Sequence, residues 1–160
     1  MIVAGQLLLL LLIANGAPII AQRLFGHRAG WPLDGGRRLG DGQPWFGSSK
    51  TVRGIAAAVL ACAIAAPLLG VPVRVGLLVA AGAMAGDLLS SFIKRRLGIP
   101  PSGRMPGLDQ LPESLLPTLL VGGQLGLSPA WGLAVVSIFV VLELILSRIL
   151  YALHIRRRPY

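Results

Sequence analysis

Long apolar segments alternate with polar segments along the whole chain. A helix needs about 20 apolar residues to cross a bilayer, and three of the apolar segments reach or approach that length. The chain has five apolar segments in all, which are Ile2 to Ala21, Ile55 to Gly70, Val75 to Phe92, Leu115 to Leu127 and Ala130 to Leu153. Pro67 and Pro117 interrupt the two shorter ones, which favours kinked or tilted helices there. The pattern predicts an all-α, polytopic integral membrane protein with five transmembrane helices in one domain, residues 1–160.

The polar residues collect in two loops, about 22–54 and 93–112, and in the C-terminal tail. Lys and Arg are concentrated in these three places, whereas Arg74 is the clear cation of the remaining connections. Cytoplasmic loops of membrane proteins carry an excess of Lys and Arg. We therefore expect a multi-pass protein of the cell (inner) membrane whose N-terminus lies outside, with both loops and the C-terminus in the cytoplasm. Met1 to Gln6 holds no basic residue, so the first segment is expected to be a span rather than a signal peptide.

Composition narrows the classes of partner. The formal net charge is +9, yet 54% of the residues are hydrophobic and the cations flank the apolar segments. Such placement indicates membrane topology rather than a nucleic-acid surface.

Cys62 is the single cysteine, which excludes a disulfide within the chain. His27 and His154 are expected to be interfacial bystanders, and the oligomeric state is left open, with a homodimer as one option.

The stretch GDLLSSFIKRR, residues 86–96, ends the third apolar segment. At helical spacing its polar residues share one face, and they are Asp87, Ser90, Ser91, Lys94 and Arg95. An aspartate inside a span should face protein or water, because exposure to lipid is costly. One interpretation is a salt bridge from Asp87 to an arginine that only joins two helices. The functional interpretation is a carboxylate that binds Mg²⁺ below cations that bind phosphates.

Both loops are rich in Gly and Pro and hold acids beside bases. The first loop, WPLDGGRRLGDGQPWFGSSKTVRG, carries Asp34, Asp41, Lys50 and Arg53, and its alternative interpretation is a flexible linker. A P-loop is rejected because Ser49 stands where that motif requires glycine. In the second loop Asp109 is either a metal ligand or the cap of the fourth helix, and these roles do not exclude each other.

Three motifs in order, PLDGG…GDG…SKTVRG, GDLLSSFIKRR and PGLDQL, resemble the CDP-archaeol synthase family, the membrane cytidylyltransferases related to CDP-diacylglycerol synthases. The resemblance implies five spans and transfer of CMP from CTP to a lipid phosphate, giving a CDP-lipid and pyrophosphate for phospholipid biosynthesis. Our mechanistic hypothesis for this reaction places Mg²⁺ as cofactor on Asp87 and Asp109, with Lys94 joining them as a catalytic residue. The residues that we expect, with the resemblance, to bind CTP and its phosphates are Asn15, Asp34, Asp41, Lys50, Thr51, Arg53, Ser91, Lys94, Arg95, Arg96 and Gln110.

The chain departs from the family pattern at several positions. Ser48 replaces an acid, Val52 replaces a tryptophan, and Pro112 with Glu113 follows the DQL motif. From these departures we expect a bacterial branch whose lipid acceptor is archaetidic-acid-like or phosphatidic-acid-like. Glu143, inside the fifth span, is expected to hydrogen bond another helix, for example near Gln124, or to line a lipid groove or proton path.

Two other functions compete with the cytidylyltransferase. Phosphoalcohol transfer from a CDP-lipid would need that family's clustered aspartates, which the sequence lacks. A non-catalytic membrane protein or small transporter would use the polar face as a permeation path. Transporters are often built from internal repeats, and no repeat is visible here.

Overall fold

The computed structural model describes residues 1–26, 28–101, 103, 105 and 107–153. Within these residues the chain forms five α-helices, which confirms the predicted all-α class. They are α1 (Ile2–Phe25), α2 (Val52–Leu68), α3 (Val73–Arg96), α4 (Gln110–Gly122) and α5 (Pro129–Ala152). The extended pairing in the described chain consists of two isolated bridges in the first loop, Pro32 with Thr51 and Arg38 with Pro44. His27, His154 and the rest of the tail lie outside the described residues.

Two helices differ from the predicted spans for local reasons. Helix α4 begins at Gln110 rather than Leu115, because Pro112 falls in its first turn, where the missing proline N–H costs nothing. Helix α3 continues through Lys94, Arg95 and Arg96, whose positive charges suit the C-terminal end of a helix. Both shifts add polar residues to rigid helices.

Three of the described helices are long and apolar enough to cross a membrane, namely α1, α3 and α5, the last as Pro129–Ile149. Helix α2 is apolar but has 17 residues, and α4 has 13, fewer than the about 20 that a bilayer requires. The crossing of the bilayer by α2 and α4 therefore stays a prediction.

Helix α3 is central, and glycines bring its neighbours close. A Cβ at Gly76 would lie 2.6 Å from the Cys62 carbonyl oxygen of α2, and one at Gly82 would lie 2.8 Å from Pro117 Cα of α4. A Cβ at Gly86 would lie 2.2 Å from the Pro112 carbonyl oxygen. Because real Cβ atoms do not approach so closely, only glycine permits this packing. The close approach at Gly86 places the next residue, Asp87, directly beside α4.

The two polar loops meet at one end of the helices. Arg96, at the end of α3, donates to the Asp41 carboxylate at 2.7 Å and to the Pro44 carbonyl at 2.6 Å, both in the first loop. Apolar packing fills the interior, where Leu7, Leu10, Leu11, Val75, Val79 and Phe139 are fully or almost fully buried. The charged residues of the two loops are thus gathered at one end of an apolar helical body.

Candidate active site

Two carboxyl groups face each other between α3 and α4. The Glu113 and Asp87 carboxyl groups lie within hydrogen-bonding distance of each other. Glu113 is 8% exposed. Asp87 lies nine residues before the end of α3, which at 1.5 Å per residue is about 14 Å from that end. A close pair of acids at this depth is costly without a compensating charge.

Lys50 supplies that charge from the first loop. Its ammonium group forms an ion pair and hydrogen bond with Asp87. The residue after Lys50 fixes the end of the loop. Thr51 accepts a hydrogen bond at 3.1 Å from the Gly54 amide and so caps the N-terminus of α2. Asp87 is therefore paired with a lysine of the loop, and not with an arginine as the salt-bridge interpretation supposed.

Lys94 joins the second loop to the same centre. It forms an ion pair with Asp109 and donates to the Gly103 carbonyl at 3.1 Å. Lys94 also interacts electrostatically with Asp87. Asp109 precedes α4 at the cap position, but its side chain accepts from the Met105 amide at 3.0 Å and makes no cap bond to the helix.

The other residues of the polar face organise the loops around this centre. Arg95 is 2% exposed and donates to the Pro100 carbonyl at 2.8 Å. Arg96 clamps the first loop, and its guanidinium lies 5.1 Å from the Phe92 ring centre. Gln110 accepts from the Gly107 amide at 3.0 Å, and Ser91 is buried. The predicted shared face of the helix is thus observed.

Asp34 folds the first loop. Its carboxylate accepts hydrogen bonds from the amides of Gly47 (2.9 Å), Phe46 (3.0 Å) and Gly36 (3.0 Å). Burial by itself raises the pKa of Asp34, but these amide donors together bring the pKa below its ordinary value. The carboxylate is therefore committed to the loop backbone, and a role in CTP binding stays a prediction.

Two of the predicted substrate-binding residues make their hydrogen bonds outside the group of ion pairs around Asp87. Arg53 donates to the Gly26 and Arg28 carbonyls at 2.8 and 2.6 Å, beyond the end of α1. Asn15 donates to the Leu11 carbonyl at 2.9 Å and lines a cavity between α1 and α5. Asp41 accepts from Gln43 at 3.0 Å as well as from Arg96. The structure brings together Lys50, Asp87, Lys94 and Asp109, whereas Arg53 and Asn15 make their hydrogen bonds to other parts of the chain.

The acid pair suits a magnesium ion. Mg²⁺ prefers oxygen ligands and is commonly held by one or two carboxylates, with water and substrate phosphates completing its shell. Asp87 and Glu113 offer two such carboxylates within hydrogen-bonding distance of each other. Among the described residues no group of three His, Cys, Asp or Glu side chains forms a metal cage. The donor set therefore fits an ion that shares its coordination with a phosphorylated substrate.

Glu113 is the residue that sequence reasoning missed as a partner of Asp87. The sequence places it at the end of the second loop, near Asp109 and Gln110, and as a departure from the family pattern after the DQL motif. The signal that could have found it is its position one residue after Pro112, in the first turn of a helix that starts at Gln110. Once that start is recognised, Glu113 becomes an acid on a helix rather than in a loop.

Comparison with known proteins bears on this site. The family model described as CarS-like CDP-archaeol synthase matches residues 2–160, almost the whole chain. The chain belongs to the CDP-archaeol synthase family. A CDP-archaeol synthase of Sulfolobus acidocaldarius is 33% identical over 156 residues, covering 93% of this chain and 91% of its own length. One of Hyperthermus butylicus is 41% identical over 106 residues, covering 62% and 60%, so that match spans about three fifths of the relative.

A solved structure supports the fold of this CDP-archaeol synthase family member. It is described as an intramembrane enzyme for archaeal membrane lipid biosynthesis, and it matches with a TM-score of 0.68 and 34% sequence identity. The match covers 87% of this chain and 89% of the other. The predicted family is thereby confirmed. The relatives named here are archaeal, so the expected bacterial branch has no support.

Proposed function

We propose that the protein is a membrane cytidylyltransferase that transfers CMP from CTP to a lipid phosphate, forming a CDP-lipid and pyrophosphate. The observation that carries this proposal is the carboxyl pair Asp87–Glu113 flanked by Lys50 and Lys94. Acids that can hold a metal ion and lysines that can bind phosphates are the parts that phosphoryl transfer requires. Membership of the family and the membrane-length helices support a substrate that is itself a lipid.

The reaction is a displacement at the α-phosphorus of CTP. A lipid phosphate oxygen forms a bond to that phosphorus, while the bond from the phosphorus to the oxygen bridging the β-phosphate breaks and pyrophosphate leaves. The lipid phosphate is already ionised near neutral pH, so no side chain has to remove a proton from it. The proposed reaction therefore requires no histidine as a general base.

The carboxylates and lysines have separate tasks in this proposal. Asp87 and Glu113 would hold Mg²⁺, with Asp109 as a further carboxylate beside Lys94. When bound, Mg²⁺ neutralises negative charge on the phosphate oxygens of the reacting groups. Lys50 and Lys94 bind triphosphate oxygens and stabilise the charge that develops on pyrophosphate. Arg95 binds the second loop and Arg96 binds the first loop, so both loops stay in place beside these lysines.

The proposed setting is a cell membrane with the loops facing the cytoplasm. CTP is a water-soluble nucleotide, and both loops lie at the end of the helices where Lys and Arg are concentrated. We propose that the N-terminus lies outside. The lipid acceptor then approaches from the bilayer and CTP from the cytoplasm, and the two meet at the depth of Asp87.

The experiment is a transfer assay on the full chain in detergent, with Mg²⁺, CTP and a panel of lipid phosphates. The panel includes phosphatidic acid and unsaturated archaetidic acid. We expect a CDP-lipid from at least one acceptor, and a loss of at least about 100-fold in rate for Asp87→Asn. Arg74→Gln, an exposed cation at the far end of α3, is the matched control and should keep the wild-type rate.

Two results would contradict the proposal. The first is the absence of CDP-lipid with every acceptor from a protein that unfolds cooperatively on heating. The second is full transfer by Asp87→Asn. A transporter would neither consume CTP nor release pyrophosphate, so the assay also separates these two functions.

A further inference from the structure

A cavity lies between α1 and α5, apart from the ion pairs of the active site. Its lining alternates apolar and polar side chains, with Leu12, Asn15 and Gly16 on α1 facing Phe139, Glu143 and Ser147 on α5. Its volume is about 50 Å³. Lining residues recur every three or four positions on both helices, so two facing stripes enclose the cavity. Polar groups inside a membrane helix pair are costly to retain and indicate a site.

The cavity lies at the depth of the acid pair. Glu143 is nine residues from the end of α5 and Asn15 ten from the end of α1, which gives about 14–15 Å for both, as for Asp87 in α3. Glu143 also interacts electrostatically with Glu113. The cavity is therefore next to the reacting centre, on the side of the helical body formed by α1 and α5.

We propose that this cavity binds the glycerol backbone of the lipid phosphate acceptor, at the junction between its head and its chains. This inference rests on the proposed function, because it assumes a lipid phosphate as substrate. The lipid phosphate then points from the cavity towards the acid pair, while Lys50 and Lys94 bind the triphosphate of CTP. The lipid chains extend from the cavity into the bilayer.

Asn15 gives the cavity a donor for the oxygens that link glycerol to the chains. Its amide nitrogen carries two hydrogens, and one goes to the Leu11 carbonyl at 2.9 Å. The other can serve an ether or ester oxygen, which only accepts hydrogen bonds. A lipid whose linkage oxygens reach this donor is thus preferred over an alkyl phosphate that has none.

Gly16 is the position at which a larger side chain can test the cavity. A Cβ at Gly16 meets no atom within 4 Å, although the residue lines the cavity. Gly16→Leu therefore introduces a side chain whose Cβ meets no neighbouring atom and whose remaining carbons occupy the cavity. Gly5→Leu is the matched control, because Gly5 lies on the same helix, is exposed, and likewise meets nothing within 4 Å.

The experiment measures initial rates against the surface concentration of lipid phosphate in mixed micelles, and against CTP. For Gly16→Leu we expect the KM for the lipid to rise at least tenfold while the KM for CTP stays within twofold of wild type. Gly5→Leu should match wild type in both. Asn15→Leu should raise the KM for phosphatidic acid but leave that for a simple alkyl phosphate unchanged.

A direct binding measurement accompanies the kinetics. Native mass spectrometry of the wild type should show one retained phosphatidic acid, and Gly16→Leu should lose it. The inference is overturned if Gly16→Leu behaves as Gly5→Leu in both lipid KM and retention, or if both KM values rise together. If the wild type makes no CDP-lipid from any acceptor, the proposed function fails, whereas lipid retention still reports on the cavity.

Discussion

Gly86→Ala tests whether the close approach of α3 and α4 creates the acid pair. The added Cβ would lie 2.2 Å from the Pro112 carbonyl oxygen, 2.3 Å from its carbon and 2.6 Å from the Glu113 nitrogen. Ordinary contact begins at 3.4 Å, so the two helices must separate by about 1 Å. All three atoms belong to the backbone of α4 and no flexible side chain can give way. The separation moves Glu113 away from Asp87.

The expected magnitudes follow from that displacement. Overpacking of this kind costs about 1–3 kcal/mol, which corresponds to a Tm lower by roughly 3–10 °C for a chain of this size. A displacement of about 1 Å within a reacting centre costs about 100-fold in rate. We therefore expect Gly86→Ala to remain folded at assay temperature and to lose most of its transfer activity.

The assay compares kcat and Tm of Gly86→Ala with those of Gly122→Ala. Gly122 is the last residue of α4, and a Cβ there meets nothing within 4 Å. Alanine favours a helix over glycine, so this control should be as stable as wild type or slightly more so. Wild-type kcat in Gly86→Ala would refute the reasoning, because the acid pair would then not depend on the helix spacing.

Three further outcomes follow from the ion pairs and the loop. Lys50→Gln should raise the KM for CTP at least tenfold. Lys50→Arg should recover part of this loss, because it keeps the positive charge beside Asp87. Equal KM values for the wild type and both variants would contradict this prediction. Arg96→Gln breaks a partly exposed ion pair with Asp41, which is worth about 0–1 kcal/mol. The Tm should therefore change by under about 3 °C, whereas proteolysis of the first loop should become faster. The pKa of Asp34 is lowered on folding, so its ionised form stabilises the protein at neutral pH, and this contribution is lost as pH falls below 3.8 through the lowered value. The Tm difference between wild type and Asp34→Asn should therefore shrink in acid, and a constant difference would show that ionisation is not involved.

The helices and one face of the site could be predicted from the sequence. Apolar length indicated five helices, and helical spacing placed Ser91, Lys94 and Arg95 on the buried face of α3. Both signals are local, since they depend on the composition and period of one segment. The side of the membrane on which the loops gather was predicted from charge and stays a prediction.

The partners of the charged groups could not be predicted, because they depend on how distant segments pack. Lys50 meets Asp87 across 37 residues, and Arg96 meets Asp41 across 55. Gln124 was suggested as a partner for Glu143, but it is exposed and donates to the Leu120 carbonyl at 3.3 Å. Glu113 escaped notice for the same reason, since its contact with Asp87 requires the backbone approach at Gly86.

The central claim is that Asp87 and Glu113 act together in transferring CMP to a lipid phosphate. The most direct measurement follows CTP labelled at the α- or at the γ-phosphorus, with wild type and Glu113→Gln, into lipid and water-soluble fractions. We expect the α-label to enter the lipid and the γ-label to leave as pyrophosphate, with transfer slowed at least about 100-fold in Glu113→Gln. Wild-type transfer by Glu113→Gln, or both labels remaining in water with every acceptor, would contradict the account.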